Sequence, residues 1–311
     1  MKPFAFVFPG QGSQSVGMLS AWGDHPAVKT TLAEASDALG EDMAALIQQG
    51  PKEQLDLTTN TQPAMLTAAI ACYRAWLAEG GTPPTVVAGH SLGEYTALVA
   101  AGSLTLAQAA PLVRLRAQAM QNAVPVGKGA MAAILGLDAH TVVQGCQQIS
   151  TTEEIVEAVN FNDPKQTVIA GTTAGVNAAC EHLKQQGAKR ALVLPVSAPF
   201  HSRLMKPAAE QLREALAKTT LLSPKIKVIN NIDVNDPTDP DTIKDALYRQ
   251  AFGPVRWTEV IMKMRALGLS YILECGPGKA LSGMVKRIDA DLQTMSISDP
   301  TTLAQAQELL A

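Results

Sequence analysis

Thr85-Val86-Val87-Ala88-Gly89-His90-Ser91-Leu92-Gly93-Glu94 is the stretch on which the fold turns. Its first four residues form a short apolar run, the pattern of a strand buried in a parallel sheet. A turn bracketed by glycines follows, and helical composition resumes at Glu94. Strand, tight turn and helix in succession give Gly89-His90-Ser91-Leu92-Gly93 the context that a nucleophile elbow requires and that a bare G-x-S-x-G lacks. The glycines allow a cramped turn that lifts the Ser91 hydroxyl above the sheet. The N–H of Leu92, near the helix N-terminus, then points to where an oxyanion would develop.

Upstream, Phe4-Ala5-Phe6-Val7-Phe8 is another buried-strand run, stopped by Pro9-Gly10. The loop after it, Pro9-Gly10-Gln11-Gly12-Ser13-Gln14, does not fit the dinucleotide pattern G-x-G-x-x-G. A loop at the C-terminal end of a parallel strand can instead supply a second oxyanion donor, and the backbone N–H of Gln11 is placed to do so. Between these strands, Thr30–Leu39 and Pro63–Leu77 have helical composition, with Pro63 suited to a first turn. Downstream the rhythm changes. Past the helix ending near Met120, strand, helix, strand, strand, helix and strand are expected at Ala130–Leu137, His140–Ile149, Ile155–Asn160, Thr167–Ala170, Ala174–Gln186 and Ala191–Val196. That βαββαβ order is the ferredoxin-like pattern. The fold class expected is α/β: a parallel-sheet body of residues 1–124 and 197–311, interrupted by a ferredoxin-like insert of residues 125–196. The body resumes with a helix at Lys206–Ala217 and strands at Ile226–Asn230 and Tyr271–Leu273.

A chain of 311 residues holds about two domains. Hydrophobic residues make up 47% and charged residues 17%, which argues against disorder. Lys and Arg number 25 against 28 Asp and Glu, a formal charge of −3. No global positive field attracts nucleic acid or anionic lipid, and neither is expected as a partner. Cys72, Cys146, Cys180 and Cys275 lie far apart with no CxxC pair, so no zinc site or disulfide framework is suggested and a cytoplasmic location is expected. Phe4–Phe8 is too short for a signal-peptide core, and Ala97–Val113 is too interrupted to span a membrane.

A serine hydroxyl needs a general base. Of the five histidines, His25 and His140 sit among loop or cap residues, His182 lies on a helix with Glu181 and Lys184, and the His90 side chain should diverge from that of Ser91. His201, in Ser197-Ala198-Pro199-Phe200-His201-Ser202, remains as the base. The third group of a hydrolase triad is missing. Asp138, Glu153, Asp163 and Glu181, between residues 91 and 201, read as solvated, so a neutral acceptor is expected to orient the imidazole.

Pro9–Gln14, Gly89–Glu94 and Pro199-Phe200-His201-Ser202 together resemble the malonyl-CoA:acyl carrier protein transacylase family of bacterial type II fatty acid synthesis. Thr61-Gln62-Pro63-Ala64, Arg116, Asn160-Phe161-Asn162, Asn230-Asn231, Gln250 and Gly276-Pro277-Gly278-Lys279 extend the likeness from end to end. The resemblance implies an α/β-hydrolase-like body with a ferredoxin-like insert. It also implies roles. Ser91 takes the malonyl group from malonyl-CoA as an ester, His201 is the base, and the backbone carbonyl of Gln250 holds the imidazole. Gln11 and Leu92 form the oxyanion hole, Arg116 binds the free carboxylate, and Phe200 favours malonyl over methylmalonyl. Without it, Arg116 reads as one more helix-surface cation beside Arg114. Acyl carrier protein is the implied acceptor, with Lys189-Arg190 or Lys286-Arg287 as candidate docking cations. No metal or nucleotide cofactor is implied, coenzyme A being part of the donor. Two alternatives stay open: an esterase or lipase on a similar sheet, and a non-catalytic scaffold that binds carrier protein.

Overall fold

The computed structural model describes residues 1–196 and 198–311. In chain order these form β1 (Phe4–Phe8), α1 (Pro26–Leu39), α2 (Met43–Gln49), α3 (Lys52–Leu55), α4 (Thr58–Ala78), β2 (Val86–Gly89), α5 (Gly93–Ala100) and α6 (Leu106–Asn122). Next come β3 (Gly129–Leu135), α7 (Ala139–Ile149), β4 (Val156–Asp163), β5 (Gln166–Thr172), α8 (Thr173–Gln185) and β6 (Arg190–Val193). The chain finishes with α9 (Lys206–Lys218), β7 (Lys227–Ile229), α10 (Pro240–Phe252), α11 (Trp257–Ala266), β8 (Tyr271–Cys275), α12 (Ala280–Ile288), β9 (Ser296–Ile297) and α13 (Pro300–Leu310).

One sheet runs in the order β7-β2-β1-β8-β9 with every pair parallel. Its central strand, β1, is buried throughout because both faces are covered. Phe4, Phe6 and Phe8 point to one side, where Phe6 meets Trp76 and Tyr73 of α4 edge-on at 5.4 and 6.1 Å. Ala5 and Val7 point to the other and share a core with Trp257, Val260 and Ile261 of α11 and Val285 of α12. The register pairs Phe8 with Gly89. The loops leaving β1 and β2 therefore emerge together at the carboxyl edge of the sheet, where ligands bind in open α/β folds.

The second sheet runs β4-β5-β3-β6 with every pair antiparallel, the arrangement expected of the βαββαβ order. One face packs on α7 and α8 through Val142, Cys146, Val176 and Leu183. The opposite face carries Met131, Val159, Val168 and Ala170, with Leu194, Val196 and Phe200 against it. β4 is tied to the main body, since Phe161 N–H donates to Val255 O at 2.9 Å and Val255 N–H to Val159 O at 2.8 Å. Arg287 pairs with Asp163 at 2.6 Å beside that junction. Asp163 is buried, so the solvated reading of this residue is corrected: it meets a cation from α12 that only the tertiary fold brings near. Of the expected segment boundaries, the first falls in the link between α6 and β3, and residue 197 lies outside the described residues. Among the described residues no helix is long and apolar enough to cross a membrane.

Two helix starts differ from expectation. α1 begins at Pro26, capped by the His25 ring, which accepts from Ala27 N–H at 3.2 Å. α4 begins at Thr58, which leaves Pro63 inside the helix rather than in its first turn. Proline there strands the carbonyl four residues earlier, that of Thr59. Arg114 Nη1 donates to that same oxygen at 2.7 Å and to Asn60 Oδ1 at 2.6 Å, and Nη2 pairs with Glu41. Arg114 is thus a built-in partner for a carbonyl within α4 rather than a free surface cation. Arg114→Ala should lower the unfolding free energy by about 1–3 kcal/mol, read as a shift in urea midpoint at unchanged slope; no shift would mean that water serves the Thr59 carbonyl equally well.

Candidate active site

Gly89 and Gly93 bring the elbow into close contact with its surroundings. A Cβ on Gly89 would lie 1.8 Å from the Gly93 carbonyl, and one on Gly93 would lie 2.2 Å from Phe8 O. Between them Ser91 adopts φ 52°, a left-handed conformation that costs a non-glycine residue about 1–2 kcal/mol. Hydrogen bonds from distant segments hold it there. Ser91 N–H donates to Asn231 Oδ1 at 2.8 Å, Asn231 Nδ2 donates to Gly89 O at 2.8 Å, and Gln250 Nε2 donates to Ser91 O at 2.9 Å. His201 is likewise left-handed, with φ 66°.

Ser91 Oγ lies 2.7 Å from His201 Nε2, and His201 Nδ1 lies 2.9 Å from the backbone O of Gln250. A carbonyl only accepts, so Nδ1 carries the proton and Nε2 presents its lone pair to the Ser91 hydroxyl. The group facing Nδ1 is thus a neutral backbone oxygen and not a carboxylate. Burial is the main cause that pushes His201 down to about 3, and the Arg116 cation adds to it.

Arg116 is not on the surface. It is 1% exposed: Nη1 donates to Gln62 Oε1 at 2.7 Å, and Nη2 to Gln250 Oε1 at 3.1 Å and to Ser91 Oγ at 3.2 Å. The Tyr95 ring lies 5.5 Å away on another side. All these partners are neutral, Nε has none, and burial lowers the guanidinium pKa. Gln11, Ser91, Leu92, Arg116, Phe200 and His201 line one cavity of about 130 Å³, and Gln250 stands fully buried behind it. Among the described residues the N–H groups of Gln11 and Leu92 have no protein acceptor. The Phe200 ring shares the apolar wall with Met120, Met131, Val168, Leu194 and Val196. A wider groove of about 610 Å³ continues from Gln11 and Val196 past Leu57, Thr58 and Val126.

His90 does diverge from Ser91: its Nε2–H donates to Asn162 Oδ1 at 2.8 Å and its ring meets Trp257 edge-on. Of the docking cations, Arg287 is engaged by Asp163 and Lys286 Nζ by Leu292 O at 2.6 Å, whereas Lys189 and Arg190 are exposed. Gln62, Glu94 and Asn231 join the site without any role read for them in the sequence. Among the described residues no group of three or more His, Cys, Asp or Glu is placed to hold a metal.

A strained serine between a parallel strand and a helix, with a histidine from beyond the insert on its hydroxyl, defines the α/β-hydrolase-like class of fold. Residues 5–290 match the acyl transferase domain model, and the chain belongs to that family. The malonyl CoA-acyl carrier protein transacylase of Escherichia coli (strain K12) is 51% identical over 310 residues, 99% of this chain and 100% of that protein. The crystal structure of acyl-carrier-protein S-malonyltransferase from Burkholderia pseudomallei 1710b is 62% identical and superposes with a TM-score of 0.97, covering 99% of this chain and 100% of that one. A malonyl-transacylase solved in complex with a type II PKS acyl-carrier protein is 47% identical, with a TM-score of 0.97 and coverage of 99% and 100%.

The pKa of His201 has a consequence for stability. It lies below its ordinary 6.5 in the folded protein, so the stability gained by burying the neutral ring is complete above about 6.5 and drains away as pH falls toward about 3. His201→Asn should therefore flatten the fall of unfolding free energy below pH ~6.5 by up to about 1.4 kcal/mol per pH unit. Urea titrations at several pH values would show it, and an unchanged slope would mean that the ring is not held neutral.

Proposed function

We propose that this protein moves a malonyl group from malonyl-CoA to the phosphopantetheine thiol of acyl carrier protein, through an ester on Ser91. The observation that carries this reading is the buried Arg116 guanidinium, met only by neutral groups and 3.2 Å from the Ser91 hydroxyl. A planar cation in that setting gains two charge-assisted hydrogen bonds from an incoming carboxylate. An acyl group with a carboxylate at its far end, esterified on Ser91, supplies one. The relatives' names agree with that substrate class.

Each half-reaction balances. Ser91 Oγ gives its proton to His201 Nε2 and attacks the thioester carbonyl, whose oxygen takes the negative charge opposite the N–H groups of Leu92 and Gln11. The carbonyl re-forms, the C–S bond breaks, and His201 returns the proton to the departing sulfur of coenzyme A. The carrier thiol then enters, passes its proton to His201 and attacks the ester, and Ser91 recovers the proton as it leaves. Pairing of the malonyl carboxylate with Arg116 offsets the cation that depresses His201, so the base strengthens when the charged substrate is in place. The groove past Leu57 and Val126 gives the pantetheine arm its way in, and Phe200 crowds the position an α-methyl would occupy, a discrimination of about 1–3 kcal/mol. A cytoplasmic setting follows from the substrates.

Arg116 separates this reading from a simple esterase, and the complete Ser91, His201 and Gln250 arrangement separates it from an inert scaffold. Mixing with malonyl-CoA should give a malonyl adduct on Ser91 by mass spectrometry. Arg116→Ala should cut that loading by about a hundredfold while sparing acetyl loading from acetyl-CoA; equal loss of both donors would remove Arg116 from the carboxylate role. For docking, charge reversal at Lys189 and Arg190 should slow transfer to carrier protein by about tenfold and leave transfer to free pantetheine intact, and equal rates on both acceptors would place docking elsewhere.

A further inference from the structure

One buried ionisable group has no task in that cycle. Glu94, just beyond the elbow on α5, is 2% exposed. Its Oε2 accepts from Asn231 N–H at 2.8 Å and from Gln250 Nε2 at 3.0 Å. Among the described residues no cation lies within ion-pair distance of it. The other end of the same amide, Gln250 Oε1, accepts from Arg116 Nη2 at 3.1 Å. A primary amide has one accepting end and one donating end, a carboxylate only accepts, and a guanidinium only donates. Seated between Glu94 and Arg116, the Gln250 side chain has a single satisfied orientation; turned over, it would set oxygen against carboxylate and NH₂ against guanidinium. The backbone carbonyl of that residue holds His201, and Asn231, the other partner of Glu94, holds Ser91 N–H.

We propose that Glu94 is a positioning residue for the transfer: its carboxylate, together with Ser91 O, holds the donating end of the Gln250 amide, and through that amide sets Arg116 against the acyl carboxylate. Naming malonyl as the positioned group rests on the transfer reading above; the hydrogen-bond geometry stands without it. The titratable and charged groups that act on Glu94 are Arg116 from α6, Asp233 from the loop after β7, and Tyr95 beside it on α5. Asp233 is itself held by both terminal nitrogens of Arg249 on α10. Burial pushes Glu94 up to about 7, against the opposing pull of the Asn231 N–H, Gln250 and Arg116. Its charge, and with it the demand on the amide, therefore changes across the neutral range. Ionised, it offsets Arg116 and leaves His201 more basic; protonated, it does neither.

Glu94→Gln keeps the shape but can donate as well as accept, so the donating end of the amide loses its charged acceptor and is left with Ser91 O alone, and its hold on Arg116 loosens. The catalytic efficiency of malonyl loading from malonyl-CoA should fall by about tenfold or more, mainly through KM, with acetyl loading from acetyl-CoA much less affected. A second readout is labelling of Ser91 by a neutral fluorophosphonate. In the native protein its rate should rise through a step near neutral pH, and that step should vanish in Glu94→Gln while the melting temperature stays close to the native value. A step that persists in the variant, or equal loss with both acyl donors alongside a large drop in melting temperature, would overturn the positioning role. If Glu94→Gln does not fold, Glu94→Asp serves: its step should be retained at a displaced pH, and an unmoved step would count against Glu94. If the native protein takes no malonyl adduct, the transfer reading falls, and the fluorophosphonate step still decides the role of Glu94.

Discussion

Arg116 carries its charge almost wholly buried, and what meets it is two amide oxygens, a hydroxyl and an aromatic ring. Taking such a cation out of water without a counter-ion is unfavourable by several kcal/mol even after relaxation. The arrangement persists because its partners are held by other parts of the fold. Gln62 comes from α4 and Gln250 from α10, and both are themselves buried. The rest of the site is organised around this charge, which no acidic group meets directly among the described residues. It depresses the neighbouring imidazole, and it leaves a gap in the electrostatics that a carboxylate fills and an uncharged acyl chain does not. Selection by charge is steeper than selection by shape, since a missing ionic partner leaves a buried charge unpaired whereas a missing methylene only loosens packing.

The same logic of local cost and distant support governs the backbone. Ser91 and His201 both hold left-handed dihedrals, each unfavourable by itself. Ser91 is held through Asn231, in the loop that follows β7, and through Gln250 on α10. That loop contains a further left-handed residue, Val234, whose carbonyl accepts from Lys263 Nζ at 2.8 Å. The loop that supports Ser91 through Asn231 is thus itself tied down by a side chain from α11. The parallel sheet makes this possible by delivering the ends of β1, β2 and β7 to one edge.

How much of this the sequence discloses depends on how local each cause is. β1 and the elbow are legible because a short apolar run ended by glycine is a local event, and the alternation of strands and helices in the insert is nearly so. His201 follows from the scarcity of histidines. Arg116 is different: burial of a cation has no local signature, and its role enters through resemblance. Arg114, two positions earlier, looks the same in sequence and does something unrelated, serving the carbonyl that Pro63 strands. The N1 rule for proline fails at Pro63 because that partner lies on α6, outside any local window. Asp163 and Glu94 are misjudged or passed over for the same reason. Asp163 reads as solvated and Glu94 only as the start of a helix, and each is buried against groups from distant segments.

Why a base should rest on a carbonyl rather than a carboxylate follows from what the proposed reaction must avoid. A carboxylate behind the imidazole would stabilise the imidazolium and make a stronger base. The backbone oxygen of Gln250 gives orientation with much less of that charge stabilisation, and burial weakens the base further. A thiol ionises near about 8.5 and bulk water near about 15.7. A weak base placed over the ester can therefore help a thiol to attack far more than it can help water. In the proposed cycle, a malonyl ester paired with Arg116 would wait for a nucleophile that is already acidic. On the proposed reading the buried cation selects which acyl group is held, and the neutral orienter which nucleophile takes it away.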